Sequence, residues 1–123
     1  MKMSYIELAG KKHPLRLSLG ASEKISDEFG SLDSMQKSLL NKDISQGDTI
    51  RIIDRVLTIL MEAGRIYASA CGDELPPELT CRPVDLIDAS DPAAIQAIIS
   101  AMKDDTDRTV ETEVKNVEAT QTP

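Results

Sequence analysis

Apolar and polar residues alternate with a period of two at the start of the chain. Ile6 and Leu8 alternate with Tyr5 and Glu7, then Leu15, Leu17 and Leu19 alternate with Arg16 and Ser18. That period predicts a β-hairpin from Tyr5 to Leu19. The intervening Ala9-Gly10-Lys11-Lys12 reads as a polar turn, with a glycine available for positive φ. Pro14 has no amide donor and suits the start of an edge strand. Two strands alone are only marginally stable in water, so the face formed by Leu15, Leu17 and Leu19 must lie on helices.

The period then lengthens to that of a helix. Gly20 breaks the strand, Ser22 is a candidate cap, and Ile25 and Phe29 lie four apart before Gly30 closes a short first helix. Ser31 can cap a second helix with Leu32, Met35 and Leu39 at helical spacing, ended by Asn41. Asp48 or Thr49 can cap a long third helix running to about Cys71, with Gly72 as its stop. Its stripe is Ile50, Ile53, Leu57, Leu60 and Met61, and Ile52, Val56 and Ile59 extend the apolar surface well beyond it. A helix apolar on most sides is central. The excess also fits a partner face or a homo-oligomer face, so Ile52, Val56 and Ile59, with the outer face of the hairpin, are the expected partner surface.

Leu75-Pro76-Pro77-Glu78 is a loop, because adjacent prolines exclude a helix interior. Pro83 opens a short helix through Val84, Leu86 and Ile87, and Asp91-Pro92 opens a last one bearing Ile95, Ile98, Ile99 and Met102. From Asp104 onward acidic residues outnumber basic ones, and the composition predicts a disordered, flexible acidic tail. Within it Val110, Val114 and Val117 fall at i, i+4 and i+7, with Glu111 placed to pair with Lys115, so this stripe is a further candidate partner surface. The expected fold is mainly α: residues 1–103 form one small helical bundle with an N-terminal two-stranded β-hairpin, and residues 104–123 form the tail.

Composition narrows the function classes. At 123 residues the chain has room for one core, and with 2% aromatic residues that core must be aliphatic. A net charge of -7 opposes binding to polyphosphate, so no nucleic-acid partner is expected. Arg51, Asp54, Arg55 and Glu62 interrupt the most apolar segment, which excludes a membrane span there. The N-terminus lacks the apolar run of a secretory signal, so the protein is expected to stay where it is made. Cys71 and Cys81 fit neither a disulfide framework nor a zinc site and read as reduced, partly buried thiols.

Candidate chemistry is sparse. His13, the single histidine, sits beside Pro14 and reads as an exposed turn residue. Ser34 to Lys37 and Ser100 to Lys103 match the Ser-x-x-Lys pattern of serine acyl-enzymes without its companion motifs. Asp104-Asp105-Thr106-Asp107 lacks the glycine and glutamate of a calcium loop, and Gly10-Lys11 lacks the rest of a phosphate loop. No catalytic set, metal site or cofactor is expected, and binding is the expected mode of action.

The order of elements carries a resemblance. Tyr5 to Ala21, with Gly10-Lys11-Lys12-His13-Pro14-Leu15-Arg16 at its centre, runs into Ile25 to Gly30 and then the long helix from Thr49 to Cys71. This resembles the tail assembly chaperones of long-tailed bacteriophages and prophages over roughly residues 4 to 102, in element order and hydrophobic pattern. The resemblance implies a non-enzymatic protein of the host cytoplasm that binds the tape-measure protein, helps recruit tail-tube subunits and is absent from the mature virion. It also implies a longer form, made by ribosomal slippage near the C-terminus, that contacts the tail-tube protein. Val114-Lys115-Asn116 can be encoded as GTA-AAA-AAC, a sequence on which both tRNAs re-pair after a backward slip. Two other roles fit the same composition: a structural or adaptor component of a phage tail, and an acidic inhibitor that mimics DNA.

Overall fold

The computed structural model describes residues 4–103. Its first element pair is set by a two-residue turn: Ala9 and Gly10 take positive φ (51° and 79°), joining β1 (Ser4–Leu8) to β2 (Lys11–Leu15). Positive φ at both central positions gives the turn a twist that matches its flanking strands. The register pairs Leu8 with Lys11, Ile6 with His13 and Ser4 with Leu15. Ile6, Leu8 and Leu15 therefore share the buried inner face, each at most 3% exposed.

The strand ends earlier than its alternation predicts. The Ser18 hydroxyl accepts the amide of Ala21 at 3.1 Å, which starts α1 (Leu19–Phe29) one turn before the expected Ser22 cap. Leu17 remains in the core, but Leu19, expected on the same face, is 92% exposed in the first turn of the helix. Gly30 closes α1 with φ of 89°, and Ser31 caps α2 (Leu32–Leu40) by accepting the Ser34 amide at 2.9 Å. Met35 and Leu39 are the inward residues of α2.

The long helix α3 (Gln46–Ala70) starts slightly before the expected caps, because Ser45 accepts the Asp48 amide at 3.1 Å. Gly72, at φ of 81°, ends it. The Gly72 amide bonds to the Ser69 carbonyl and the Asp73 amide to the Ala68 carbonyl, the paired closure that satisfies the last carbonyls of a helix. A 3-10 turn follows at Pro83–Leu86. Asp91 then accepts the Ala93 amide at 2.9 Å and opens α4, residues 93–103. Among the described residues this is a small helical bundle with an N-terminal hairpin. The acidic segment 104–123, and Val110, Val114 and Val117 within it, lie outside them.

α3 is the axis of the bundle and packs against β2, α1, α2 and the 3-10 turn. Val56, Leu57 and Leu60 are fully buried, and α4 joins the same core through Ala94, Ala97, Ile98, Ala101 and Met102. One Ser4–Ser100 hydroxyl contact of 3.3 Å ties α4 to the hairpin.

The hairpin meets α3 backbone to backbone. A Cβ at Gly64 would stand inside contact distance of the Pro14 carbonyl and 2.9 Å from the Leu15 nitrogen, so only a glycine fits. One step further along the chain, the Arg16 amide donates to the Leu60 carbonyl at 3.1 Å. Hydrogen-bonded and non-hydrogen-bonded pairs alternate in an antiparallel ladder, so Pro14 and Arg16 direct their backbone groups away from β1, toward α3. Pro14 has no N–H to leave unpaired there.

Gly64→Ala is therefore expected to cost about 3 kcal/mol or more, by forcing backbone apart. Gly47, whose Cβ would meet only the Arg51 side chain at 3.8 Å, is the matched control. Gly47→Ala should be neutral or stabilising by up to about 1 kcal/mol, the ordinary helix gain of alanine over glycine. Urea unfolding of both variants checks the pair, and a stabilised Gly64→Ala would refute the packing described.

Candidate functional site

His13 is not the exposed turn residue that its neighbours suggest. With the turn confined to Ala9 and Gly10, His13 lies opposite Ile6 on the inner face and is 1% exposed. Neither imidazole nitrogen has a hydrogen-bond partner within the protein. Burial, then the charges of Arg65 and Lys11, hold its pKa below the ordinary value, so the ring is neutral at pH 7. Counting positions outward from a two-residue turn would have placed it inside.

A groove of about 500 Å³ beside this ring is lined by Thr58, Met61 and Arg65 of α3 and by the loop from Glu78 to Pro83. Two arginines tie the loop down. Arg65 donates through Nη1 to the Pro76 carbonyl at 2.7 Å, and Arg82 donates through Nε to Oδ2 of Asp54 at 3.1 Å. These cations are thus engaged with the loop itself. His13 is paired with neither a nucleophile nor a carboxylate, and among the described residues no group of three His, Cys, Asp or Glu side chains is placed to hold a metal ion. Cys71 and Cys81 are free thiols and both are exposed, where partial burial was expected. Of the Ser-x-x-Lys matches, Ser34 bonds to Ser31, and Lys37 pairs with Asp33 across one helical turn.

The residues expected on a partner face of α3 divide. Val56 (0% exposed) and Ile59 (2% exposed) belong to the core, and Ile52 is partly buried against it. The burial has a packing reason: the hairpin covers one side of α3 while α1 and α2 cover others, so Val56 and Ile59, off the main stripe, are covered as well. On the outer face of the hairpin Tyr5 is exposed, whereas Pro14 is buried by its approach to α3.

An open apolar surface lies elsewhere, between α2 and α4. It is a groove of about 440 Å³ lined by Leu39, Leu40, Ile95, Ile98, Ile99 and Met102, with Gln36 and Lys103 at its edge. Leu40 is 70% exposed and Ile99 is 53% exposed. Both follow an apolar neighbour, in Leu39-Leu40 and Ile98-Ile99. Consecutive helical residues diverge by about 100°, so one of each pair enters the core and the other is turned out of it. The same doubling at Val56-Leu57 and Ile59-Leu60 leaves both residues buried, so it did not by itself mark this groove.

No family model, curated protein or solved structure matches this chain. Its surfaces must therefore be weighed by their chemistry. The groove beside His13 is lined on one side by the protein's own loop, while the groove between α2 and α4 presents large aliphatic side chains to solvent. No helix among the described residues is long and apolar enough to cross a membrane.

The buried imidazole makes stability depend on pH. A pKa lowered in the folded state means that the unfolded chain binds the extra proton first. Stability is then full above the ordinary value of about 6.5 and is lost as pH falls through it toward the folded value. Urea unfolding between pH 7.5 and 5 should show this loss. His13→Leu, which gives up no hydrogen bond to the protein, should flatten the profile and be neutral or stabilising by about 1 kcal/mol at pH 7.5. An unchanged slope in His13→Leu would assign the dependence to other groups.

Proposed function

We propose that this chain is a tail assembly chaperone of a long-tailed phage or prophage, a non-enzymatic protein that holds an apolar helical segment of the tape-measure protein during tail assembly. The observation that carries the reading is the open aliphatic groove between α2 and α4 on an acidic body, in a fold whose element order is that of the resemblance. A long helical, apolar client needs its apolar stripe covered while it waits, and a groove between two helices accepts such a stripe at i, i+3 and i+4 positions. Net charge of -7 keeps the complex soluble. In this reading Leu40 and Ile99 replace Val56 and Ile59 as the contact residues. The tail-tube protein is recruited through a longer form extending past the acidic segment, and the work is done in the host cytoplasm, before the virion is complete.

Co-expression with a tape-measure protein tests the reading. The wild-type chain should keep that client soluble, and Leu40→Glu or Ile99→Glu should weaken the complex by about tenfold or more while leaving the far-UV spectrum intact, because both side chains are exposed. Ile59→Glu should instead unfold the protein, since it buries an unpaired carboxylate in the core. A client held equally well by Leu40→Glu and Ile99→Glu would remove this groove from the function. Recovery of the chain in stoichiometric amounts from purified particles would favour a structural role.

A further inference from the structure

The loop beside His13 is lightly held. Between Gly72, in the positive-φ conformation, and the 3-10 turn that begins at Pro83, residues 73–82 form neither helix nor strand. Their backbone-to-backbone hydrogen bonds are confined to the two ends, from the Asp73 amide to the Ala68 carbonyl and from the Asp85 amide to the Arg82 carbonyl. What holds the middle down is side chains. Arg65 donates to the Pro76 carbonyl at 2.7 Å, Arg82 to Oδ2 of Asp54 at 3.1 Å, and Leu79 packs partly buried against the core. The remaining pair, Arg65 with Glu78, is 3.9 Å long, and the Glu78 side chain is 83% exposed. Segments without a backbone ladder and with few buried contacts open at a lower free energy than the whole fold.

His13 lies against this loop on one side and against α3 on another, with both ring nitrogens buried and unpartnered. A neutral imidazole leaves one donor and one acceptor unanswered there, whereas an imidazolium leaves two donors and a charge. None of the charged groups around it answers that charge. Lys11 on its own strand and Arg65 on α3 repel it, Arg82 of the loop is a third cation, Oδ2 of Asp54 is engaged by Arg82, and Glu78 lies out in water beside Arg65. Cys81 of the loop is exposed. Water is left as the partner for the protonated ring, and the loop is the side from which it enters, because β1 and α3 are built into the core. From this arrangement we infer that residues 73–82 are a proton-operated latch, closed over the neutral His13 ring and lifted from α3 when the ring takes up a proton, while the hairpin and the helices stay packed. Burial, then Arg65 and Lys11, lower the pKa of the closed ring, so the open form binds the proton more tightly and acid favours it. Opening bares Met61, Leu79 and Pro83 as an apolar cleft. The latch goes beyond a general loss of stability in acid, because it assigns the proton to one segment that opens before the chain unfolds.

The test uses the full chain with Cys71→Ser and a nitroxide on the native Cys81 thiol, which is exposed and lies in the loop. Cys81 and Met61 line the same groove, so the label broadens the Met61 methyl signal while the loop is down. Between pH 7.5 and 5 that signal should regain about twofold or more in intensity, in step with the titration of the His13 ring followed by its own proton shifts. Leu57 and Ile98 signals, from the core, should keep their positions throughout. His13→Leu, with His13→Gln in reserve should the first not fold, should keep Met61 broadened across the whole range. Recovery of Met61 in those variants would overturn the inference by assigning the opening to Asp54 or Glu78. So would a His13 ring that titrates while Met61 stays broadened, or one that stays neutral until the core signals collapse, which would place its proton uptake in global unfolding.

Discussion

The backbone of β2 lies directly on the backbone of α3 where Gly64 removes the side chain between them, and the rest of the bundle depends on that approach. A two-stranded hairpin has too little buried surface to persist alone, and its free edge would expose unpaired amides and carbonyls. Here the edge is closed by a helix. Pro14 has no amide to satisfy, its carbonyl rests on Gly64, and the Arg16 amide finds the Leu60 carbonyl. The inward face, Ile6, Leu8 and Leu15, is thereby pressed into the same core as Leu57 and Leu60. Arg16 continues the contact by laying its guanidinium 3.7 Å from the centre of the Tyr67 ring.

Around that axis the stability is aliphatic. Each fully buried Leu, Ile or Met contributes about 1.5–3 kcal/mol of transfer free energy, whereas the ion pairs joining α1 to α3, Lys24–Glu62 and Arg55–Glu28, lie largely at the surface. Such pairs contribute about 0–1 kcal/mol each and set orientation more than stability. One polar group runs against this economy. His13 is buried without a bond to the protein, beneath a loop that Arg65 and Arg82 fasten to α3. Its neutral form is the one that this position tolerates, which couples the seating of the hairpin to protonation.

The two grooves differ in what they offer a partner. Beside His13 the arginines are engaged with the Pro76 carbonyl and Asp54, while both imidazole nitrogens and Oδ1 of Asp54 have no hydrogen-bond partner among the described residues. Between α2 and α4 the aliphatic side chains answer nothing among the described residues, and the apolar area is continuous with the core through Ile98 and Met102. Removing that area from water is favourable for any complementary helix, so specificity must come from the length and spacing of the apolar stripe placed on it.

Local sequence determined the elements themselves: the period of two in the hairpin, the caps at Ser31 and Asp91, the stops at Gly30 and Gly72, and the central place of α3 all follow from residues close together in the chain. These are short-range effects of hydrogen bonding and φ preference, which need no knowledge of distant residues. Boundaries were less legible at Ser18 and Ser45, because more than one hydroxyl or carboxylate nearby could cap and packing selected among them. Which apolar residues face water could be decided only by the tertiary structure. Val56 and Ile59 are as apolar as Leu40 and Ile99, yet the first two lie inside and the last two outside, because the hairpin closes on α3 and nothing described closes over α2 and α4. The same closure turned His13 from a turn residue into a buried one. Gly64, one more small residue in a helical pattern, gained its role from a strand about fifty positions away in the chain, a separation across which no local pattern reaches.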